Sequence, residues 1–246
     1  MGYVDVGGVR TWYEVLGEGE PLVLLHPGGF DSRAMAEPAA ALAESYTVYL
    51  PDRRAHGRTP DVPGDLTYEV MGADTAAFID TVVGGPAHLL GHSDGAVVGL
   101  LTAFQRPDLV RSLVFSSGVW HQTGWLPGVL DVDDDLREFM RSWHDPVSPD
   151  GPGHFDEFVA KLDKMHQAGP SFTVEDLATI RVPTLVMSGD DDEMPPEHLV
   201  ALHRALPDAQ LAIVPGAGHG SLLDKPELCL LMIKDLLAGG TDGGPR

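Results

Sequence analysis

Short unbroken apolar runs alternate with longer segments of helical spacing along most of this chain. Leu22-Val23-Leu24-Leu25 has no polar position at all, as expected of a strand covered on both faces of a sheet. Further strands are expected at 46–50, 87–90, 110–116, 184–187 and 210–214. Before them, 3–6 and 11–15 read as a hairpin turned at Gly7-Gly8. Helical spacing marks 33–44, 68–83, 94–105, 196–206 and 226–238. Met71, Ala76, Ile79 and Val83 share one face of the second of these, and Gly84-Gly85-Pro86 ends it. Strands alternating with helices predict βαβ units, hence an α/β fold with a mostly parallel central sheet flanked by helices. Such sheets bind ligands beyond the carboxyl ends of their strands. Every unusual polar turn in this chain follows a strand, so these turns are expected to gather at one edge.

Residues 118–180 break the rhythm. They carry Pro127, Pro146, Pro149, Pro152 and Pro170, an acidic stretch at Asp131 and Asp133-Asp134-Asp135, and two helical patterns at 134–143 and 154–167. Aromatic residues concentrate there: Trp120, Trp125, Phe139, Trp143, Phe155, Phe158 and Phe172. The segment reads as an insertion ahead of the last two strands. The expected organisation is a core of 1–117 and 181–238, an insertion of 118–180, and a Gly-rich disordered tail of 239–246.

Composition narrows the partners. The 246 residues fit one large domain. A formal net charge of -21 argues against nucleic acid and against anionic membrane surfaces. Solubility accounts for that charge, which does not identify a substrate. Cys229, the single cysteine, excludes an internal disulfide, fits a reducing cytoplasmic compartment, and reads as buried filler in an apolar helix. No apolar run is long enough to cross a membrane, and the first residues lack a signal-peptide pattern. Val6 stands where myristoylation needs Ser or Thr.

Gly91-His92-Ser93-Asp94-Gly95 joins an apolar strand pattern to an apolar helix pattern. An abrupt strand-to-helix turn strains the residue at its tip, and flanking glycines remove the Cβ atoms that would clash. The Ser93 hydroxyl then stands at the sheet edge, at the positive end of the next helix. A serine needs a base to act as a nucleophile, and the base needs an acid to fix its tautomer. His219, between glycines directly after a strand, is the best base. The acid should come from Asp190, Asp191 or Asp192, since three adjacent carboxylates cannot all be buried. Oxyanion donors are expected from the backbone N–H groups of Asp94 and Gly28, with Gly29 as the fallback and Pro27 unable to donate. The Gly28-Gly29 loop lacks the Lys and Ser/Thr of a phosphate loop. No second ligand cluster at suitable spacing supports metal binding by the aspartate triplet. No cofactor and no metal are expected.

The order Ser93, acidic triplet, His219, with His26-Pro27-Gly28-Gly29 ahead, resembles the α/β-hydrolase superfamily over about residues 3–237. Asp52-Arg53-Arg54-Ala55-His56-Gly57-Arg58-Thr59 is similar to the family's D-x-R-G-x-G-x-S loop, departing from it at Ala55 and Thr59. Gly189-Asp190-Asp191-Asp192 resembles its G-x-x-D acid turn, which selects Asp192. His26-Pro27 replaces the commoner His-Gly. By this resemblance Asp52, Arg53 and His56 are structural, and the insertion is a helical lid whose aromatic residues roof an apolar pocket over Ser93. Trp120, His121 and Trp125 follow a strand end and are pocket candidates, together with Gly29, Phe30 and Met194. The implied activity is hydrolysis of a carboxylic ester or lactone through an acyl-enzyme, on a small-molecule substrate with an acyl carbonyl. Serine, rather than aspartate, at the nucleophile position argues against epoxide hydrolase and dehalogenase chemistry. The same triad serves C–C bond hydrolases, amide hydrolases and cofactor-free haloperoxidases, and some relatives are non-catalytic receptors. A homodimer is left open.

Overall fold

The structure is a computed structural model and describes residues 1–239. From residue 240 onward the expected tail lies outside the described residues. Eight strands form one sheet in the order β1-β2-β4-β3-β5-β6-β7-β8. They are β1 (Gly2–Val6), β2 (Val9–Leu16), β3 (Glu20–Leu25), β4 (Tyr46–Pro51), β5 (Ala87–His92), β6 (Val110–Ser116), β7 (Thr184–Gly189) and β8 (Ala209–Val214). β2 pairs antiparallel with β1 and with β4, and every other pairing is parallel.

The unbroken apolar strands are covered on both faces. Leu22 and Leu24 of β3 enter one hydrophobic cluster, and Val23 and Leu25 enter the other. β5 and β6 divide their side chains the same way, with Leu89 and Phe115 on one face and Leu90 and Val114 on the other. This is the period of two that a strand imposes. Helices α1 (Ala36–Leu42) and α9 (Pro226–Leu237) cover the second face, where Cys229 is fully buried. α2 (Tyr68–Phe78), α3 (Asp94–Gln105) and α7 (Pro196–Ala205) cover the first. The helix expected over 68–83 ends in one π-helical turn, Ile79–Val83, closed by Gly84 at φ 76°. The Gly84 N–H donates to the Ile79 carbonyl at 2.9 Å, which closes that wider turn.

Between β6 and β7 the chain leaves the sheet and forms α4 (Asp134–His144), α5 (Phe155–Ala168) and the short α6 (Val174–Leu177). Phe155, Phe158, Val159, Leu162 and Met165 of α5 join the first-face cluster, so the excursion shares the core. Polar ties add to this packing. Arg33 donates to the Trp143 carbonyl at 2.6 Å, and Asp61 accepts from both His154 and Lys161. Short α8 (Ser221–Asp224) precedes α9. No helix among the described residues is long and apolar enough to cross a membrane.

Candidate active site

The turn between β5 and α3 explains its own glycines. Ser93 has φ 56° and ψ -123°, a backbone conformation that L residues rarely adopt. A Cβ on Gly91 would overlap the Gly95 carbonyl, and a Cβ on Gly95 would overlap the Leu25 and His26 carbonyls. The first turn of α3 therefore sits directly on the ends of β5 and β3. A Cβ on Gly28 would likewise overlap the Asp94 carboxylate. Among the described residues, neither the Asp94 N–H nor the Gly28 N–H has a protein acceptor. Both lie where the two loops meet beside Ser93.

Three strand ends bring the polar trio together. The Ser93 Oγ lies 3.0 Å from His219 Nε2, and His219 Nδ1 donates to Asp192 Oδ1 at 2.7 Å. Burial pushes the Asp192 carboxyl up, but the hydrogen bond and charge of His219, aided by the Glu193 N–H, outweigh this and hold it at about 2. Burial disfavours a charged His219, yet Asp192 and Glu193 together raise its pKa above the ordinary 6.5. Of the triplet, Asp190 instead accepts from the Gly216 and Ala217 N–H groups at 2.7 and 3.3 Å, which folds the loop that carries His219. Asp191 is exposed. His92 stands beside His219 with ring centroids 5.2 Å apart. Burial, helped by the neighbouring His219, drives its pKa down to about 3, so it is neutral at working pH.

The loop after β4 is a scaffold. Asp52 accepts from the Ser32 and Arg58 N–H groups at 3.0 and 2.8 Å, and the Arg53 guanidinium donates to the His26 carbonyl at 2.6 Å. Ala55 has φ 63°, which is the reason a glycine is usual at that place in the motif.

A chamber of about 330 Å³ opens over Ser93 and His219. Of the pocket candidates, Phe30 and Trp125 line it, and so does Gly28. The other pocket candidates do not, each for a local reason. The Trp120 indole stacks on His198 at 5.0 Å and donates to the His198 carbonyl at 2.9 Å, which fixes it against α7. The His121 ring turns to Thr123 at 2.9 Å. Met194 is buried in the first-face core. Gly29 has φ 74°, and a Cβ there would overlap the Met140 side chain, which lines the chamber in its stead.

Most of the remaining wall comes from the excursion: Val129, Leu130, Val132, Leu136, Met140, Leu162, Asp163 and His166. Sequence reading missed these residues. The available signal was the helical spacing of Leu136 with Met140 and of Leu162 with His166, which marks a shared face without saying what it faces. Pro27, Phe30 and His92 also line a second, mostly apolar cavity of about 430 Å³, together with Met35, Phe139, Trp143 and Leu222. Phe30 is held by Phe139 and Trp143, with centroids 5.6 and 5.5 Å away.

The sheet order, the strained serine turn and the converging Ser, His and Asp define the α/β-hydrolase class. Residues 22–230 match the Alpha/beta hydrolase family, and the chain belongs to it. A protein of Azorhizobium caulinodans named for carbamate hydrolysis is 27% identical over 93% of this chain and 95% of its own. The 2-hydroxy-6-oxo-6-(2'-aminophenyl)hexa-2,4-dienoic acid hydrolase of Metapseudomonas resinovorans is 26% identical over 92% of this chain and 86% of its own. Among solved structures, the meta-cleavage product hydrolase of Pseudomonas fluorescens IP01 superposes with a TM-score of 0.82 at 19% identity, covering 98% of both chains. That likeness is one of fold. The sequence relatives are named as hydrolases, which supports hydrolytic activity for this chain.

Proposed function

We propose that this protein is a serine hydrolase that cleaves a small carboxylic ester or lactone through an acyl-enzyme. The observation that carries the reading is the continuous hydrogen-bonded chain from Ser93 Oγ through both ring nitrogens of His219 to Asp192. Ser93 Oγ attacks the substrate carbonyl carbon as His219 Nε2 takes its proton. The oxyanion that forms accepts from the N–H groups of Asp94 and Gly28. His219 then protonates the leaving alkoxide, leaving Ser93 acylated. Water, deprotonated by His219, attacks the ester carbonyl, and the Ser93 oxygen leaves with the proton as the acid departs. Asp192 stays ionised throughout and holds the imidazole with Nε2 facing the hydroxyl.

The chamber volume of about 330 Å³ suits a short acyl group, being near the low end of the roughly 300–1,000 Å³ usual for ligand pockets. In this reading the excursion acts as the lid, since its residues roof the nucleophile.

A fluorophosphonate probe should label Ser93 stoichiometrically and leave Ser93→Ala unlabelled. Folded protein that resists the probe at Ser93 sinks the proposal. A second reading, C–C bond hydrolysis, is favoured by the relative from Metapseudomonas resinovorans, and the relative named for carbamate hydrolysis keeps amide-like bonds in view. A substrate screen across p-nitrophenyl esters, lactones, amides and vinylogous diketones separates these readings.

A further inference from the structure

Two carboxylates, Asp163 and Glu193, face the chamber over Ser93, and the cations near them are histidines already bonded to other carboxylates. Asp163, on α5, lines it and makes no ion pair and no side-chain hydrogen bond among the described residues. Glu193 lines it too, 3.4 Å from His219 Nδ1, whose proton is already given to Asp192. No lysine and no arginine lines the chamber among the described residues. The one histidine on the lid side, His166, is fixed on Asp94 at 2.9 Å, so its charge is neutralised within the wall.

The space next to the chamber has the same sign. A neighbouring cavity of about 580 Å³ shares Leu130, Val132, Asp163 and His166 with the chamber and adds Asp131 and Asp133. Its arginine, Arg137, is occupied by Asp156 at 2.9 Å. Asp131 and Asp133 of the acidic stretch thus line a cavity that adjoins the chamber. The whole-chain charge of -21 acts in the same direction at longer range.

A substrate carboxylate entering this half-enclosed space would lose hydration, find no cationic partner, and meet like charge at Asp163 and Glu193. An ammonium group would instead meet those carboxylates and the faces of Phe30 and Trp125. We infer that the chamber sorts substrates by sign of charge, accepting acyl groups that carry a positive charge and rejecting those that carry a carboxylate. The inference rests on the serine-hydrolase reading of Ser93. Within it, Asp163 and Glu193 are specificity-determining residues.

The test uses three matched p-nitrophenyl esters. Their acyl groups are 4-(trimethylammonio)butyrate, its neutral isostere 5,5-dimethylhexanoate, and the glutarate monoester. Turnover of the neutral ester tests the hydrolase reading, and the cation-to-anion ratio of kcat/KM tests the charge inference. The expected ratio is at least about tenfold at low salt, narrowing severalfold in Asp163→Asn and further in Asp163→Asn with Glu193→Gln. A ratio of one or below overturns the inference. So does a ratio that both variants leave intact while salt removes it, because the selection would then come from the net charge and not from the chamber. If the neutral ester is not turned over, calorimetric binding of the three matched carboxamides to the intact protein reads the same preference. Equal or tighter binding of the anionic amide overturns it there.

Discussion

His166 Nε2, on α5, donates to the carboxylate of Asp94, the residue directly after Ser93, at 2.9 Å. The same carboxylate accepts from the Tyr68 hydroxyl at 2.6 Å and lies in the field of Arg53. Burial opposes the Asp94 charge, but His166, Arg53 and Tyr68 together hold its pKa far below the usual carboxylate range. Burial opposes the His166 charge too, and Asp94 more than offsets it, so His166 is raised. One contact therefore joins the excursion to the backbone turn that bears the nucleophile.

Removing it should loosen the excursion. His166→Ala is expected to cost about 2 kcal/mol in urea unfolding, the scale of a hydrogen bond to a charged group. Because His166 is raised above 6.5, its contribution is full below that value and fades as pH rises through its folded pKa. Because Asp94 is depressed below 3.8, its contribution is full above that value and fades as pH falls through its lower folded pKa. Wild type should lose stability above neutrality relative to His166→Ala. Parallel pH–stability curves for the two proteins would remove the contact from the account.

The acid limb of kcat/KM should lie above 6.5. His219 must be unprotonated at Nε2 to take the Ser93 proton, and its pKa is raised by Asp192 and Glu193. Asp192→Asn should move the limb toward lower pH and reduce kcat by about 10⁴-fold, since the tautomer is then wrong. Asp190→Asn keeps an acceptor for the Gly216 and Ala217 N–H groups and touches no ring, so its turnover should stay near wild type. A profile in which Asp190→Asn is the crippled protein would move the acid.

Gly95→Ala should destabilise the fold by about 3 kcal/mol or more, because the new methyl group meets backbone carbonyls that cannot give way. Gly28→Ala presses on the Asp94 carboxylate instead, so it should lower kcat as well as stability. Thermal melts together with ester turnover distinguish the two effects.

Chain-length preference should follow the observed wall. Met140→Trp narrows the chamber and should shift activity on p-nitrophenyl esters toward acetate. Trp120→Phe removes the bond to the His198 carbonyl and should lower stability by about 1 kcal/mol without changing that preference. A changed preference in Trp120→Phe would return that residue to the pocket.

The sequence by itself determined the alternation of strands and helices, the strained serine turn, and the residue types at the ends of β5, β7 and β8. Those features are local: apolar period, glycine placement and motif spacing act over a few residues. Asp192 could be preferred to Asp190 only through the resemblance of its turn, since the triplet itself is symmetric in chemistry. Tertiary structure decided which side chains meet. Trp120, His121 and Met194 sit after strand ends, as pocket residues should, yet they turned to His198, Thr123 and the core. Met140, Asp163 and His166 lie on amphipathic helices whose apolar face is visible in sequence and whose partner is not. What a helix face packs against depends on the path of the chain between distant elements, and no periodicity records that path. The sign of the chamber was hidden for the same reason, because pairing of charges is a property of positions in space.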